Sequence, residues 1–435
     1  MNPRPTEVSI RTYQVGFGDC FLFSIAYDDT SARHLLFDFG STSTPRGSRN
    51  RMMQVAKDIA ERASGKLTAV IATHRHRDHI SGFDPGASNK GTGAVIASLK
   101  PDLVVQPWTE DPHIPTDATG PRLNALPPAA RGAAAQATAL RAMHEVARGA
   151  VAESARSPHF PPALRRELRF IGEDNLKNLE AVKNLASMGP NEYVHFGFRS
   201  GLEALLPGVR VHVLGPPSVD QSADVANQRA RNPAEYWHLQ ARALAAAGPA
   251  AAGEARGDTL FPDHVAARPP NIPIEARWLV KQARKMRGDH LLRLVRTLDD
   301  AMNNTSVILL MEIGDKAFLF PGDAQGENWA YALSKPEICE ILARVNVYKV
   351  GHHGSLNATP KTLWNSFQNR SDVVGERLIS LMSTLGGKHG HAQPDGHGTE
   401  VPRETLVKEL RRDSDLVDTE AFADGRWFED TVVSI

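Results

Sequence analysis

The sequence of 435 residues is poor in cysteine, and the two it contains, Cys20 and Cys339, lie far apart. Neither belongs to a close pair or to a Cys-x-x-Cys pattern, so we expect no disulfide framework. Long apolar runs are also missing, so no segment is predicted to cross a membrane. Residues 1–7 lack the apolar core of a signal peptide, and we therefore expect a soluble, cytoplasmic protein.

The chain carries no excess of charge of either sign, because 50 Lys and Arg residues balance 50 Asp and Glu residues. A balanced protein has no overall field that attracts polyanions, which argues against a tight, non-specific nucleic-acid binder. Basic residues do crowd the segment 277–296, which could line a path for a polyanion. The alternative is an ordinary solvated helix face, balanced by Asp289, Asp299 and Asp300.

What the sequence does contain is a series of short apolar runs towards both ends. They predict strands at 8–13, 20–26, 34–39, 67–73, 102–105, 209–214, 306–313, 317–320, 345–350, 377–382 and 427–435. Helical patterns occur at 52–62 and dominate the middle of the chain, as at 134–152 and 274–298. This order predicts a single α/β domain, 1–435, made of a first half at about 7–115, a largely helical insertion at about 116–300 with one core strand near 209–214, and a second half at about 301–435.

The densest group of potential metal ligands directly follows the apolar run at 67–72. His74, His76, Asp78 and His79 lie within six residues, where a buried strand would leave the core. In an extended or looped segment His74 and His76 can share one ion, while Asp78 and His79 reach a second. Imidazole and carboxylate together suit Zn²⁺, with Mn²⁺ or Fe²⁺ as alternatives. The other interpretation is a histidine-rich surface loop, which rarely follows a buried strand with this spacing.

Two predicted strands of the second half also end in potential ligands. The strand at 317–320 runs into a Pro-Gly-Asp turn ending at Asp323, whose two oxygens can each bind one cation. The strand at 345–350 runs into Gly-His-His-Gly-Ser, with His352 and His353 between glycines that allow tight turns. Gly-Asp alone is often an ordinary turn, and paired histidines often lie on surfaces. The threefold recurrence of a strand followed by a ligand favours one shared metal site.

These motifs, in this order, resemble those of the metallo-β-lactamase-fold hydrolases. The matching strings are Asp38-Phe39-Gly40, His74-x-His76-x-Asp78-His79-x-x-Gly82, Pro321-Gly322-Asp323 and Gly351-His352-His353-Gly354-Ser355. Within that superfamily the chain most resembles the hydrolase domain of ComEC-type competence proteins and their free-standing relatives. The strings that carry this narrower resemblance are Val15-Gly16-Phe17-Gly18-Asp19-Cys20, Asn303-Asn304-Thr305-Ser306-Val307 and Lys349-Val350 before Gly351.

The resemblance implies a four-layer αββα sandwich, with the two halves facing each other and two metal ions at one edge. It also implies a ligand set: His74 and His76 for the first ion, Asp78 and His79 for the second, Asp323 as the bridge, and His352 to complete the second site. We favour His352 because it directly follows the strand and a glycine, with His353 as an alternative ligand or a substrate contact. Asp38 would orient the ligand loop by hydrogen bonds, or else be an ordinary turn residue.

One departure from the family concerns a histidine that many members carry after an intermediate strand. Here Gly, Pro, Pro and Ser occupy that place, at 215–218, and His212 lies inside the preceding strand, where we expect a structural role. The first ion would then be held weakly, or be completed by water or by another histidine. The candidates are His113, His195 and His238. His391 is a further candidate ligand or phosphate contact, with a Gly/His surface loop as the alternative.

The chemistry that two such ions imply is hydrolysis by a metal-bound hydroxide, because cations lower the pKa of bound water and polarise the substrate. Asp78 would orient the hydroxide or accept its proton. His353 or His391 would protonate the leaving group or hold a phosphate oxygen. Ser355 and neighbouring backbone amides would cradle an anionic group.

The predicted substrate is a phosphodiester or another small anion, nucleic acid included. The loop at 351–355 and the Asn-Asn-x-Ser segment at 303–306 resemble members of the superfamily that act on phosphodiesters. The main alternative is a lactam, lactone or thioester hydrolase on the same metal site, which would need a smaller and more apolar pocket. A third interpretation is a non-catalytic, metal-stabilised protein whose insertion covers the site and binds a partner.

Overall fold

A computed structural model describes the chain at residues 3–45, 47–48, 50–111, 162, 164–165, 178–218, 221–222, 303–355, 359–375, 377–388 and 400–435. Most of the predicted helical insertion, including the basic segment 277–296, lies outside these residues. The division into two halves and an insertion therefore stays a prediction. None of the helices in the part described combines the length and the apolar character needed to cross a membrane.

Seven strands form the first sheet. They are β1 Pro5–Tyr13, β2 Cys20–Tyr27, β3 Ala32–Phe39, β4 Ala69–Ile71, β5 Leu103–Pro107, β6 Asn191–Val194 and β13 Phe428–Ser434. Their order across the sheet is β13-β1-β2-β3-β4-β5-β6. Pairing is antiparallel from β13 to β3 and parallel from β3 to β6, so the sheet is mixed.

Six strands form the second sheet. They are β7 Val209–Gly215, β8 Ile308–Ile313, β9 Lys316–Phe320, β10 Val347–Lys349, β11 Ile379–Met382 and β12 Asp415–Asp418. Their order is β12-β11-β10-β9-β8-β7. Pairing is antiparallel from β7 to β9 and parallel from β9 to β12.

The two sheets share a pattern of pairing. In each, three strands that are successive in the chain pair antiparallel, and three parallel strands follow. The loops after β3 and β4 in the first sheet therefore correspond to those after β9 and β10 in the second. These four places carry the ligand motifs of the sequence.

Nine α-helices lie among the described residues. They are α1 Arg51–Arg62, α2 Arg77–Ile80, α3 Thr92–Ser98, α4 Leu179–Ser187, α5 Leu202–Leu205, α6 Gly326–Leu333, α7 Pro336–Ala343, α8 Lys361–Ser366 and α9 Glu404–Asp413. The helix α1 shows how they attach: Val55, Ala56 and Ile59 lie on one side at helical spacing, and these residues are the buried ones. Its remaining side chains stay at least partly exposed.

Three apolar clusters define the layers. The central one joins the facing sides of both sheets, and in it Phe37 of β3 stacks on Phe320 of β9 with ring centroids 4.2 Å apart. A second cluster joins the first sheet to α1, α3 and α4, and a third joins the second sheet to α6, α7, α8 and α9. The described residues thus form a mixed α/β structure with helix, sheet, sheet and helix layers, compatible with an α/β sandwich.

A contact between distant segments closes the first sheet at its outer edge. There β13 pairs with β1 along its whole length, from Phe428 opposite Tyr13 to Ser434 opposite Glu7. The guanidinium of Arg11 is buried at this edge, where it forms ion pairs with Asp430 at 2.6 Å and with Asp58 of α1 at 2.9 Å. One side chain therefore ties together β1, β13 and a covering helix.

Candidate metal centre

The ligand motifs meet at one edge of the two sheets. Asp38 lies near the end of β3, the run 74–79 follows β4, Asp323 follows β9 and His353 follows β10. Since neighbouring parallel strands end at the same edge of a sheet, the topology places these side chains in two adjacent pairs of loops. Stacking of Phe37 on Phe320 holds the two sheets together just below this edge.

Four side chains at this edge converge closely enough to share an ion. Each of Asp78, His79, Asp323 and His353 offers a ligand atom that lies within 4.8 Å of the others. His79 Nε2 is 2.9 Å from Asp323 Oδ2, and His353 Nε2 is 2.8 Å from Asp78 Oδ2. All four are buried, with no more than 5% of any residue exposed. Two of them come from each sheet.

Asp38 orients the ligand run through three hydrogen bonds. Its Oδ1 accepts from the backbone N–H of Thr73 at 2.8 Å, and its Oδ2 accepts from the Thr73 hydroxyl at 2.8 Å. Oδ2 also lies 2.8 Å from Nδ1 of His79, which leaves Nε2 of that ring facing Asp323. The backbone of Asp38 is left-handed, with φ of 51°. These contacts are those of a residue that positions a ligand.

Two glycines allow the run to lie against the strand ends. A Cβ atom built on Gly40 would come within 2.5 Å of the backbone of Asp78, and one on Gly18 would come within 2.7 Å of the Asp78 carbonyl oxygen. That carbonyl accepts a hydrogen bond from the Asp19 N–H at 2.9 Å. Larger residues at these two positions would displace Asp78 from the cluster.

The geometry places His353, rather than His352, in the cluster. Both residues have left-handed backbones, with φ of 42° and 52°, in a short 3₁₀ turn. The N–H of His352 donates to Asp323 Oδ1 at 3.0 Å, and its ring Nδ1 lies 3.0 Å from Ser355 Oγ at a partly exposed position. The turn carries the next side chain inward. The preference for His352, which rested on its place directly after the strand, did not take this double left-handed turn into account.

His353 is fixed on both sides of its ring. Its Nδ1 lies 2.9 Å from the Ser383 carbonyl oxygen, opposite the contact of Nε2 with Asp78. Phe17 packs on the ring with centroids 4.4 Å apart. A buried ring with both nitrogens engaged is suited to binding an ion and is poorly placed to protonate a leaving group.

His74 and His76 form a second, separate pair. His74 Nε2 lies 3.0 Å from His76 Nδ1, and the His74 ring lies 4.2 Å from that of His79. Because the Thr73 hydroxyl donates to Asp38, it accepts from His74 Nδ1 at 3.2 Å, so Nε2 of His74 bears the lone pair. Within the described residues, neither ring belongs to a group of three or more convergent ligands.

The pKa values of the histidines differ between the two groups: those of His79 and His353 are raised, and that of His74 is lowered. Burial by itself disfavours the charged form of His79, but Asp323 and Asp38 outweigh it and raise its pKa well above 6.5. Burial is likewise outweighed at His353, where Asp19 and Asp323 raise the pKa to about 10. The pKa of His74 is lowered well below 6.5 by burial and by the neighbouring His79. A cation that binds His79 and His353 must therefore displace protons, whereas His74 is already neutral.

Two charged residues of the site were not identified from the sequence, Asp19 and Lys349. Both are almost fully buried, and the Lys349 ammonium contacts Asp19 Oδ2 and, at 3.3 Å, Asp323 Oδ1. Burial opposes ionisation of Asp323, but His79 and Lys349 outweigh it and hold its pKa well below its usual range. A lysine within the apolar run 345–350 was the signal for this contact, since lysine is rarely buried without a partner.

The donor set fits a divalent cation. Two imidazole nitrogens and two carboxylates are ligands that zinc, manganese and iron accept. Asp78 Oδ1 is buried and accepts no hydrogen bond from the residues that the structure describes, which is costly for a carboxylate oxygen unless something binds it. The buried His and Asp groups could therefore hold a metal ion. A second group, Asp19, Asp38 and His79, shares His79 with the first.

The remaining sequence candidates lie elsewhere or outside the described residues. His113, His238 and His391 are outside them. His195 is half-buried and packs on Phe198 with ring centroids 5.2 Å apart. His212 lies 2.8 Å from Glu312 Oε2, the structural role expected of it.

The turn at 215–218 supplies backbone contacts in place of a histidine. Its peptide bond between Gly215 and Pro216 is cis, and the Pro216 carbonyl accepts from the Phe196 N–H at 2.8 Å. The Ser218 hydroxyl accepts from the Gln221 N–H at 3.2 Å. The turn therefore offers no imidazole to the pair His74 and His76.

Three backbone N–H groups of the loop at 351–355, where the sequence suggested an anion cradle, donate within the protein. The N–H of His352 donates to Asp323, that of Gly354 donates to the Gly351 carbonyl at 3.0 Å, and that of Ser355 donates to the His352 carbonyl at 2.8 Å. These amides hold the loop and the carboxylate in place. These three amides are therefore already occupied by protein acceptors.

Comparison with protein-family models and with curated protein sequences gave no match to this chain.

Proposed function

We propose that the chain has the metallo-β-lactamase fold, resembles the ComEC-type hydrolase domains, and is a metal-dependent hydrolase of phosphodiesters. The observation that carries the proposal is the convergence of Asp78, His79, Asp323 and His353 from loops of two sheets. The ordered motifs of the sequence support the family, and the helix, sheet, sheet and helix layers are compatible with it.

In this proposal the convergent cluster holds the tighter of two ions, with Asp78 and Asp323 as carboxylate ligands and His79 and His353 as imidazole ligands. His74 and His76 would hold the other ion, with fewer protein ligands. Divalent cations such as Zn²⁺, Mn²⁺ or Fe²⁺ supply water of lowered pKa and polarise the substrate. Ligand type supports zinc first.

The other side chains of the site hold these ligands in place. Asp38 fixes the His79 ring through Nδ1, and the Ser383 carbonyl does the same for His353. Phe17 covers the face of the His353 ring and excludes water from that side of the cluster. Such contacts with ligands raise metal affinity and fix the direction of each lone pair.

The choice of phosphodiesters rests on the strings at 303–306 and 351–355. The segment 303–306 lies beside the cluster, since the Ser306 hydroxyl accepts from the Asp323 N–H at 3.2 Å. Asn303, in the same segment, is fully buried, and its side-chain amide has no hydrogen-bond partner among the described residues. In this proposal the polar segment 303–306, which contacts Asp323 through Ser306, supports a substrate that offers oxygen atoms.

The test is a substrate panel measured with zinc and with manganese. We expect cleavage of bis-p-nitrophenyl phosphate and of DNA, abolished by a chelator. Asp323→Asn should lower kcat/KM at least about 100-fold, because loss of an outer partner alone costs about 10- to 100-fold. Asp315→Asn is the matched control: it makes the same change on an exposed side chain at the other end of β9.

Three outcomes would replace the proposal. Hydrolysis of a lactam, lactone or thioester without phosphodiesterase activity would keep the metal site and change the substrate class. Metal binding without any hydrolysis would favour a metal-stabilised binding protein. A protein that binds none of zinc, manganese and ferrous iron would exclude the metal-dependent functions proposed for the cluster.

A further inference from the structure

Lys349 is a lysine with only 2% of its surface exposed, at the end of β10. Its ammonium contacts three oxygen atoms: Asp19 Oδ2, the Gly322 carbonyl oxygen at 3.0 Å and Asp323 Oδ1 at 3.3 Å. An ammonium has three N–H donors, so each can be satisfied. These acceptors belong to the residue just before β2 and to the turn after β9. One side chain therefore joins three chain segments behind the ligand cluster.

The contact between Lys349 and Asp323 determines which oxygen of the Asp323 carboxylate can bind a metal ion. Oδ1 is held by the ammonium and by the N–H of His352 at 3.0 Å. Oδ2 instead lies 2.9 Å from His79 Nε2 and 3.7 Å from His353 Nε2. The sequence had suggested that the two oxygens of Asp323 would each bind one cation. In this geometry a single oxygen faces the other ligands, and the second is occupied by protein donors.

The turn that carries Asp323 depends on the same lysine. Gly322 has a left-handed backbone with φ of 56°, and a Cβ atom there would lie 2.7 Å from the Thr73 side chain. The bond from the ammonium to the Gly322 carbonyl fixes the direction in which this turn presents the carboxylate. Lys349 therefore contacts both the backbone turn that carries Asp323 and the Asp323 carboxylate itself.

We propose that Lys349 is a positioning residue of the metal site, which restricts Asp323 to binding metal through Oδ2. The inference rests on the proposed metal-dependent function. A purely structural role, neutralising the buried Asp19, is the alternative. The two roles predict different zinc affinities when Asp19 and Lys349 are made neutral together, because that change removes the buried charge pair but also frees Asp323 Oδ1.

The experiment compares zinc affinity with thermal stability in four proteins of full length. The double variant Asp19→Asn/Lys349→Met avoids the unpaired buried charge that Lys349→Met alone would leave, and neutral replacement of a whole pair is usually tolerated. The single variant Asp19→Asn keeps the contact between Lys349 and Asp323. The control Lys66→Met/Asp102→Asn removes an exposed ion pair that lies before β4 and β5, at the ends of these strands away from the metal site. Zinc is titrated against a chromophoric chelator.

We expect the double variant to melt near the wild type and to bind zinc about 10- to 100-fold more weakly, the usual effect of losing an outer partner of a ligand. The control should retain wild-type zinc affinity, and Asp19→Asn, which also alters the contact of this carboxylate with His353 Nδ1, should lose less affinity than the double variant. Unchanged zinc affinity in the double variant would overturn the inference and leave the proposed function intact, as would an equal loss in Asp19→Asn. A wild-type protein that binds none of zinc, manganese and ferrous iron would overturn the proposed function first, and this inference with it.

Discussion

The two parts of the run 74–79 have different surroundings, although the sequence gives both the same ligand character. Asp78 and His79 meet Asp323 and His353 from the second sheet, at distances of 2.8 to 2.9 Å. His74 and His76 meet mainly each other, at 3.0 Å. The difference lies in the opposite sheet: two of its loops supply Asp323 and His353 to one part of the run, and among the described residues no such group of ligands joins the other part.

A run of ligand residues in one loop completes a metal site only where other loops supply the remaining ligands. Neighbouring residues of one loop cannot close a coordination shell alone, since four ligands around zinc must point to one centre. The part that receives carboxylates is therefore expected to dominate metal binding. Variants of each part, and removal of the metal itself, can test this ranking.

The largest effect on activity is expected when a histidine of the run 74–79 is replaced. His79→Ala should lower kcat/KM for a phosphodiester at least about 100-fold and remove the tightly bound ion, whereas His76→Ala should cost about 10-fold. The reason is that His79 contacts Asp38 and Asp323 together. His212→Ala, which alters only a contact with Glu312, is the control. Equal losses in the first two variants would contradict the ranking.

A second effect concerns the removal of metal. The two parts of the run should release their ions separately, the one at His74 and His76 first, because fewer protein ligands hold it. We expect stepwise dialysis against a chelator to leave a species with about one ion per chain before the last is lost. Metal content measured by mass spectrometry checks this. Loss of both ions in one step would show that the two sites are equivalent.

The third effect is a pH dependence that differs in sign between the two parts, in protein prepared without metal. The raised pKa values of His79 and His353, the latter about 10, contribute stability that is present below about 6.5 and lost as the pH rises through about 10. The lowered pKa of His74 acts in the opposite direction, since its neutral form must be charged when the protein unfolds in acid. Stability should therefore decline on both sides of about pH 6.5.

Urea unfolding midpoints across that range provide the measurement. His74→Asn should weaken the decline in acid and leave the decline in alkali in place. His353→Gln should do the reverse. A flat profile between pH 6.5 and 10 would mean that the imidazoles are not held in their charged form, contrary to the contacts with Asp19 and Asp78.

The smallest effect on zinc affinity is expected at Arg75, which lies inside the run but points away from the ligands. Its guanidinium is 3.6 Å from the Glu110 carboxylate just after β5. Glu110→Gln should leave zinc affinity unchanged and reduce stability by about 1 to 3 kcal/mol, because both side chains of the pair are mostly buried. A clear loss of zinc affinity, measured by the same chelator competition, would show that the ligand run depends on this ion pair.

The strands that carry the site were largely predictable, because buried apolar runs have few alternatives. The prediction at 20–26 corresponds to Cys20–Tyr27, and that at 34–39 to Ala32–Phe39. The strands at Asn191–Val194 and Asp415–Asp418 were not predicted, since both are short and polar. They lie at sheet edges, where pairing with a neighbour decides the structure.

The site was predictable as a set of ligand types and less so as a set of contacts. The convergence of Asp78, His79 and Asp323 agrees with a metal site of the kind the sequence indicated. The position of His353 depends on two left-handed residues in succession, which residue type alone does not reveal. The contact of Lys349 with Asp19 joins residues from opposite sheets and depends on the complete fold.

The edge contact of Arg11 has a consequence for the order in which the molecule assembles. Arg11 and Asp430 are 419 positions apart in the chain, so pairing of β13 with β1 must close a very long loop, which costs conformational entropy. Contacts of such long range slow folding. We expect the pairing of β1 with β13 to be a late kinetic step, so that Arg11→Met accelerates unfolding more than it slows refolding in stopped-flow measurements.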